Sequence, residues 1–238
     1  MKLNLALALI AVAGVASSAS AVSQVRVFHG SPDAPAVDIL VNDAPAFTSL
    51  AFRSVTSYAS LPAATYNVKV NAAGTSTTVI NADLALADNT TYTVAAVNTL
   101  ANIEPLVLVD DNTLDAGKAR IRFVHASPNA PAVDIAVVNG PVLFSNISFR
   151  GVGSYLAVDA NTYDLEVRVA GTTTSVLTIP GVALQNNTVY TAWAVGLVGG
   201  SPALGAVVTV DAIPAPGAVA ALGLAGLLGA RRRRAALA

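Results

Sequence analysis

The sequence predicts an all-β protein made of two tandem β-sandwiches, and three observations carry that reading. First, the chain repeats itself. His29-Gly30-Ser31-Pro32-Asp33-Ala34-Pro35-Ala36-Val37-Asp38-Ile39 returns as His125-Ala126-Ser127-Pro128-Asn129-Ala130-Pro131-Ala132-Val133-Asp134-Ile135, 96 positions later. Phe52-Arg53 matches Phe149-Arg150, Tyr58 matches Tyr155, and Asn89-Thr90-Thr91-Tyr92-Thr93 matches Asn187-Thr188-Val189-Tyr190-Thr191. A period of this length is the size of a small domain and far longer than a solenoid unit. Second, the body alternates with period two in runs rich in Val and Thr, while Gly, Pro, Asn and Asp punctuate them. Third, seven such short runs in about 90 residues, as the first copy shows, is the strand count of an immunoglobulin-like, Greek-key sandwich.

In chain order, residues 1–21 read as a secretory signal peptide. Lys2 gives the positive start, Leu3 to Val15 is nearly unbroken apolar, and Ala19-Ser20-Ala21 offers a small-x-small site with cleavage expected after Ala21. The first sandwich is expected over 22–112. Its runs are Val25 to His29, Val37 to Val41, Val55 to Ala59, Tyr66 to Val70, Thr77 to Ile80, Thr91 to Val97 and Leu106 to Val109. Residues 113–118 form a short polar linker. The second sandwich, 119–211, repeats the pattern with Arg120 to His125, Val152 to Val158, Tyr163 to Val169, Thr174 to Ile179, Val189 to Leu197 and Ala206 to Val210. Leu86 to Tyr92 and Leu184 to Tyr190 have the form of tyrosine corners, with Tyr92 and Tyr190 closing a sheet-to-sheet crossing through their hydroxyls.

The last segment, 212–238, reads as an address. Pro214-Ala215-Pro216-Gly217 is followed by Ala218 to Ala230 without a polar side chain, then by Arg231, Arg232, Arg233 and Arg234. The apolar run is short for a span, and the arginines would remain cytoplasmic under the positive-inside rule. This layout resembles the PEP-CTERM sorting signal, with Ala215 standing where that family has Glu. The resemblance implies processing by an exosortase-like enzyme after export by way of signal peptidase. Cell-surface or extracellular release is expected after processing, and otherwise inner-membrane anchoring facing the periplasm.

Without the two ends, 8 basic side chains remain against 14 carboxylates, a net charge of −6. An acidic body with no basic stripe argues against a nucleic-acid partner. There is no cysteine, so neither disulfides nor thiol chemistry is available. With two histidines and no Gly-rich phosphate loop, no cofactor is expected.

The repeated motif with the later Tyr and Asn-Thr positions resembles the exported bacterial family known as domain of unknown function 4397, present as two copies over nearly all of 24–210. The resemblance implies export and no established activity. Read residue by residue, the motif is architectural. His29 shares a strand face with Val25 and Val27, and His125 with Ile121 and Phe123, so each imidazole closes an inward row. Ser31 and Ser127 open turns before proline, and no third residue completes a hydrolase triad. Asp33, Asp38 and Asp43 could supply hard oxygens to calcium, but Asn129 and Gly140 replace two of them in the second copy, beside Asp134. Trp193, the single tryptophan, reads as core filler rather than a sugar-stacking platform. The expected function is therefore a non-catalytic structural or adhesive role at the cell surface or in extracellular matrix. Extracellular polysaccharide or surface proteins are the expected partners. A glycan- or calcium-binding module is the alternative, and a secreted hydrolase using His29 or His125 comes after it.

Overall fold

The computed structural model describes residues 22–214. The signal segment with Ala21, and the sorting motif beyond Pro214 with Arg231 to Arg234, lie outside the described residues. The first half contains β1 (Val22–His29), β2 (Val37–Val41), β3 (Ala44–Leu50), β4 (Ala59–Pro62), β5 (Thr65–Ala72), β6 (Thr78–Ala85), β7 (Thr91–Val97) and β8 (Glu104–Asp110), with one 3-10 turn at Leu100–Asn102. The second half contains β9 (Lys118–His125), β10 (Val133–Val137), β11 (Val142–Ile147), β12 (Leu156–Asp159), β13 (Asn161–Val169), β14 (Ser175–Leu184), β15 (Thr188–Val195) and β16 (Gly205–Ala212). There is no α-helix among the described residues.

Each half is a sandwich of two four-stranded sheets. In the first half the orders are β4-β1-β7-β8 and β3-β2-β5-β6, and the second half repeats them as β12-β9-β15-β16 and β11-β10-β13-β14. All pairs are antiparallel except β1 with β7 and β9 with β15. The all-β tandem-sandwich reading therefore holds, with eight strands per half where the periodicity counted seven in the first. In the second half the runs leave β11 unnamed and also β10 (Val133–Val137), the counterpart of the named Val37 to Val41; the uncounted strand of the first half is β3. Its sequence, APAFTSL, mixes Pro, Ala and Ser on a mostly exposed edge, and its pairing to β2 is bulged, so no clean alternation marks it. Asn42 and Asp43, both at positive φ (48° and 66°), make the tight β2–β3 turn, as a two-residue hairpin of this type requires. Val55 and Val152 make single bridges, to Phe28 and Val124, rather than opening strands. The connection between halves is 111–117, because Lys118 already pairs with Asp159 in β9.

Each sandwich has its own apolar core. In the first half, Val27, Val37, Ile39, Leu50, Val70 and Ile80 pack together, and Val25, Leu86 and Tyr92 form a smaller cluster at one end. In the second half, Ile121, Phe123, Val133, Ile135, Phe144 and Leu165 belong to a single larger cluster. A further cluster belongs to neither sandwich alone. Phe28, Ala95, Val97, Leu106 and Leu108 of the first half meet Val124, Ala126, Trp193 and Val195 of the second. The faces of the β1 and β9 sheets that alternation assigns to solvent are thus pressed against each other. Every residue of β15 is buried, as expected for a strand covered on both faces.

Candidate functional site

The repeated motif lies where the chain leaves β1 (or β9) and crosses to the opposite sheet. Its polar groups can be followed one by one. The imidazole of His29 is wholly buried, and its Nε2 donates to the carbonyl of Pro35 at 2.9 Å; His125 Nε2 does the same to Pro131 at 3.0 Å. Each ring also meets a phenylalanine edge, Phe52 and Phe149 respectively. Burial pushes both imidazoles below their ordinary pKa, against the opposing effect of the carbonyl bond, so both are neutral at pH 7. In the second half the backbone N–H of Ser127 donates to His125 Nδ1 at 3.3 Å, and Ser127 Oγ donates to the carbonyl of Gly196 at 2.7 Å. In the first half His29 Nδ1 and Ser31 Oγ have no hydrogen-bond partner among the described residues.

The carboxylates of the motif also turn to main chain. Asp33 accepts from the N–H of Leu100 at 2.7 Å. Asn129, its counterpart, both accepts from Val198 N–H and donates to Val198 O. Asp38 accepts from Ser49 N–H and Gly74 N–H, both at 2.8 Å, and these two bonds hold its pKa below the ordinary carboxylate value. Asp134 accepts from Asn146 N–H and Gly171 N–H at 2.7 and 2.9 Å. Each of these aspartates clamps the following hairpin to the turn after β5 or β13. Asp43 lies apart, paired with Lys69 at the surface. The structure does not bring Asp33, Asp38 and Asp43 to a common point, and among the described residues no group of three or more His, Asp or Glu is placed to hold a metal ion. Tyr92 and Tyr190 accept through their hydroxyls from the N–H groups of Ala87 and Gln185, five residues upstream, at 3.1 and 3.0 Å.

The residues that sequence reasoning missed lie between the halves. Arg26 Nε donates to Thr93 Oγ1 at 2.8 Å, and Thr93 Oγ1 donates to Asp110 at 2.6 Å. Asp110 accepts from Arg122 of the second half, Arg122 Nε donates to Thr191 Oγ1 at 2.8 Å, and Thr191 donates to Asp211. Asp211 in turn accepts from Arg26, which closes a ring of six buried side chains. Tyr58 and Tyr155 donate from outside the ring to Asp110 and Asp211 and lie under the guanidinium planes of Arg26 and Arg122 at 4.6 and 4.8 Å. Burial, with the neighbouring carboxylates adding to it, pushes both phenols far above their ordinary pKa. For Arg26, burial alone would lower the pKa, but Asp211 and the other nearby negative groups outweigh it and hold the guanidinium above its usual value. The contact is reciprocal: each half gives an Arg and receives one on an Asp, the signature of a twofold interface. At its centre Phe28 and Trp193 stack at 4.2 Å, 19° from parallel, and the Trp193 indole N–H donates to Thr209. Trp193 is wholly buried, so its ring offers no face to a sugar. The sequence did carry a signal for this ring. Arg26 and Arg122 stand at equivalent places in the repeat, and each copy ends on an Asp after an apolar strand, Asp110 and Asp211.

Fold and site together define a double β-sandwich whose repeated polar residues serve the main chain and the seam between halves. The chain belongs to the family described as domain of unknown function DUF4397, whose model matches residues 23–136 and 136–222. No curated protein matches the chain. Among solved structures it is similar to the Bacillus anthracis TIE protein, at 11% identity and a TM-score of 0.27, over 74% of this chain and 34% of that one. It is also similar to a CBM26 carbohydrate-binding module of Eubacterium rectale Amy13K in complex with maltoheptaose, at 10% identity and a TM-score of 0.25, over 80% and 97% of the two chains. A putative cell adhesion protein of Bacteroides fragilis matches at 10% identity and a TM-score of 0.20, over 81% and 98%.

Proposed function

We propose that this protein is a non-catalytic, exported structural or adhesive component of the bacterial surface or extracellular matrix, in which two DUF4397 sandwiches act as one rigid unit. One observation carries the non-catalytic part. Of the groups that most resemble catalytic equipment, His29, Asp33, Asp38, His125, Ser127, Asn129 and Asp134 each bond to main chain rather than converging on one another, and Ser31 Oγ makes no hydrogen bond to His29 or any other described residue. A hydrolase needs a nucleophile, a base and an orienting group within hydrogen-bond reach. Here the Ser127 hydroxyl is turned to a carbonyl, and its N–H, not its Oγ, meets the imidazole.

Export rests on the sequence of the two ends, the signal segment up to Ala21 and the PEP-CTERM-like run from Pro214 to Arg234. In this reading signal peptidase removes the first and an exosortase-like enzyme processes the second. Intact mass from membrane and medium of the native host tests it. A released species from Val22 to near Gly217 supports the proposal; a species found only in the membrane and retaining Arg231 to Arg234 overturns release. A deletion strain with unchanged surface, aggregation and biofilm properties overturns the structural role.

A further inference from the structure

The core of the first sandwich contains a cavity of about 290 Å³ between its two sheets, and the second half is built differently at the same positions. Its wall includes Val27, Ala59, Val68 and Ala82. The strand registers align these with Phe123, Leu156, Leu165 and Ile179 of the second half, all of which pack in or against that half's main core. Exchanges in the other direction, such as Val94 for Ala192 and Leu84 for Val182, remove less carbon than these four add. The same backbone is therefore filled by side chains in one copy and hollow in the other.

We infer that this cavity is a binding site for a small, uncharged apolar molecule. Its size and lining set the chemistry. An apolar cavity of about 150 Å³ accommodates benzene, so this one suits a fused two-ring compound or a medium-length alkyl chain. The single charged residue on its wall is Asp83, exposed on edge strand β6 and bonded to Asn67 Nδ2. Across from it Val107, on edge strand β8, is 45% exposed although it faces the cavity. These two edges give the cavity an access route to solvent; the Asp83 carboxylate itself turns to the outer face of the sheet with Asn67, and an apolar lining without a cationic side chain disfavours an anionic head.

The test uses the full chain with naphthalene, 1-octanol and octanoate, followed by calorimetry and thermal unfolding. A triple variant, Ala59→Leu, Val68→Leu and Ala82→Ile, gives the first half the second half's residues. Naphthalene or octanol should bind the natural chain and raise its Tm, octanoate should bind several-fold more weakly than octanol, and the triple variant should lose affinity by about tenfold or more. If the triple variant does not fold, Ala82→Ile alone is used, with methyl NMR locating the shifts at Val27, Ile39 and Val68. No binding by the natural chain, undiminished binding by the filled variant, octanoate binding as tightly as octanol, or shifts confined to the second half would each overturn the inference.

Discussion

The polar and apolar parts of the seam between the halves follow opposite rules. The polar ring is the same from either side: Arg26, Thr93 and Asp110 from one half, Arg122, Thr191 and Asp211 from the other, with a tyrosine behind each carboxylate. The apolar centre is not. Where the first half has Phe28 and Ala95, the second has Val124 and Trp193, so one large aromatic comes from each half but from non-equivalent strands. A ring of charges tolerates little difference between its two sides, because each guanidinium must find its carboxylate where water is excluded. Packing needs only that the summed volume fit, so large and small residues can be traded across the axis. The two copies therefore keep one geometry while ceasing to be interchangeable. Domains joined by a linker of seven residues would ordinarily move relative to one another; a large apolar face with a closed polar ring removes that freedom.

The strongest way to break this symmetry is to remove one carboxylate. Asp211→Ala leaves Arg26 buried without its ion pair and takes an acceptor from Tyr155 and Thr191. The expected loss is about 3–5 kcal/mol in denaturant unfolding, because an uncompensated buried charge is costly. Asp110→Ala should cost a similar amount by symmetry, and the double variant less than the two together, since both belong to one network. A loss below about 1 kcal/mol for either single variant would show that water reaches the ring and that the halves separate readily. Replacing Arg26 by Met and Asp211 by Leu together should recover most of the loss.

The apolar side of the comparison is tested by Trp193→Ala, which gives the second half the residue already present at position 95. It removes the largest fully buried side chain and its stack on Phe28, for an expected cost of about 3 kcal/mol or somewhat more. In a cycle with Phe28→Ala, a coupling of about 0.5–1.5 kcal/mol would assign that share to the stacked pair. Additive losses would mean that the two rings fill space independently.

A smaller difference separates the paired aspartates of the repeated motif. Asp38 and Asp134 make the same two backbone bonds, but Asp134 is buried and Asp38 half-buried. Replacement by Ala should cost about 1–3 kcal/mol at Asp134 and less at Asp38, where water can satisfy the freed N–H groups. Equal losses would show that exposure does not decide the value of the clamp.

The duplicated sandwich was legible because repetition and period-two alternation both survive in single residues such as Val25, Val27 and His29. The seam was not, because alternation reports only that the two faces of a strand differ. It does not say whether the polar-looking face meets water or a second domain. Arg26 and Arg122 read as solvent-facing residues until another Arg-and-Asp face is laid over them. The β3 and β11 edges were missed for a different reason: exposed edge strands carry little hydrophobic pattern, and their bulged register erases the rest. The cavity was unreadable from either copy alone and becomes visible only when strand registers show which residues are equivalent.

The smallest expected effect is on pH dependence, and it tests whether the two histidines are as alike as their sequence. Both pKa values lie below the ordinary 6.5, chiefly because burial disfavours the imidazolium. The unfolded chain then binds the proton more readily than the folded one, so their contribution to stability is fully present above about pH 6.5 and is lost as pH falls from there through the depressed folded values. The other titratable groups near these rings do not supply that slope, since carboxylates titrate mainly below this window. His125 differs from His29 in that its Nδ1 accepts from Ser127 N–H, a bond that a protonated ring cannot accept. Folded-state NMR titration should therefore show both imidazoles titrating with midpoints below 6.5, with His125 resisting protonation further than His29. A His29→Asn, His125→Asn double variant that folds should have a flatter stability profile between about pH 6.5 and 5 than the natural chain. A ring that titrates at or above 6.5 would mean that water or a counter-charge reaches it, and the crossover after that strand would then be open to solvent in one half and closed in the other.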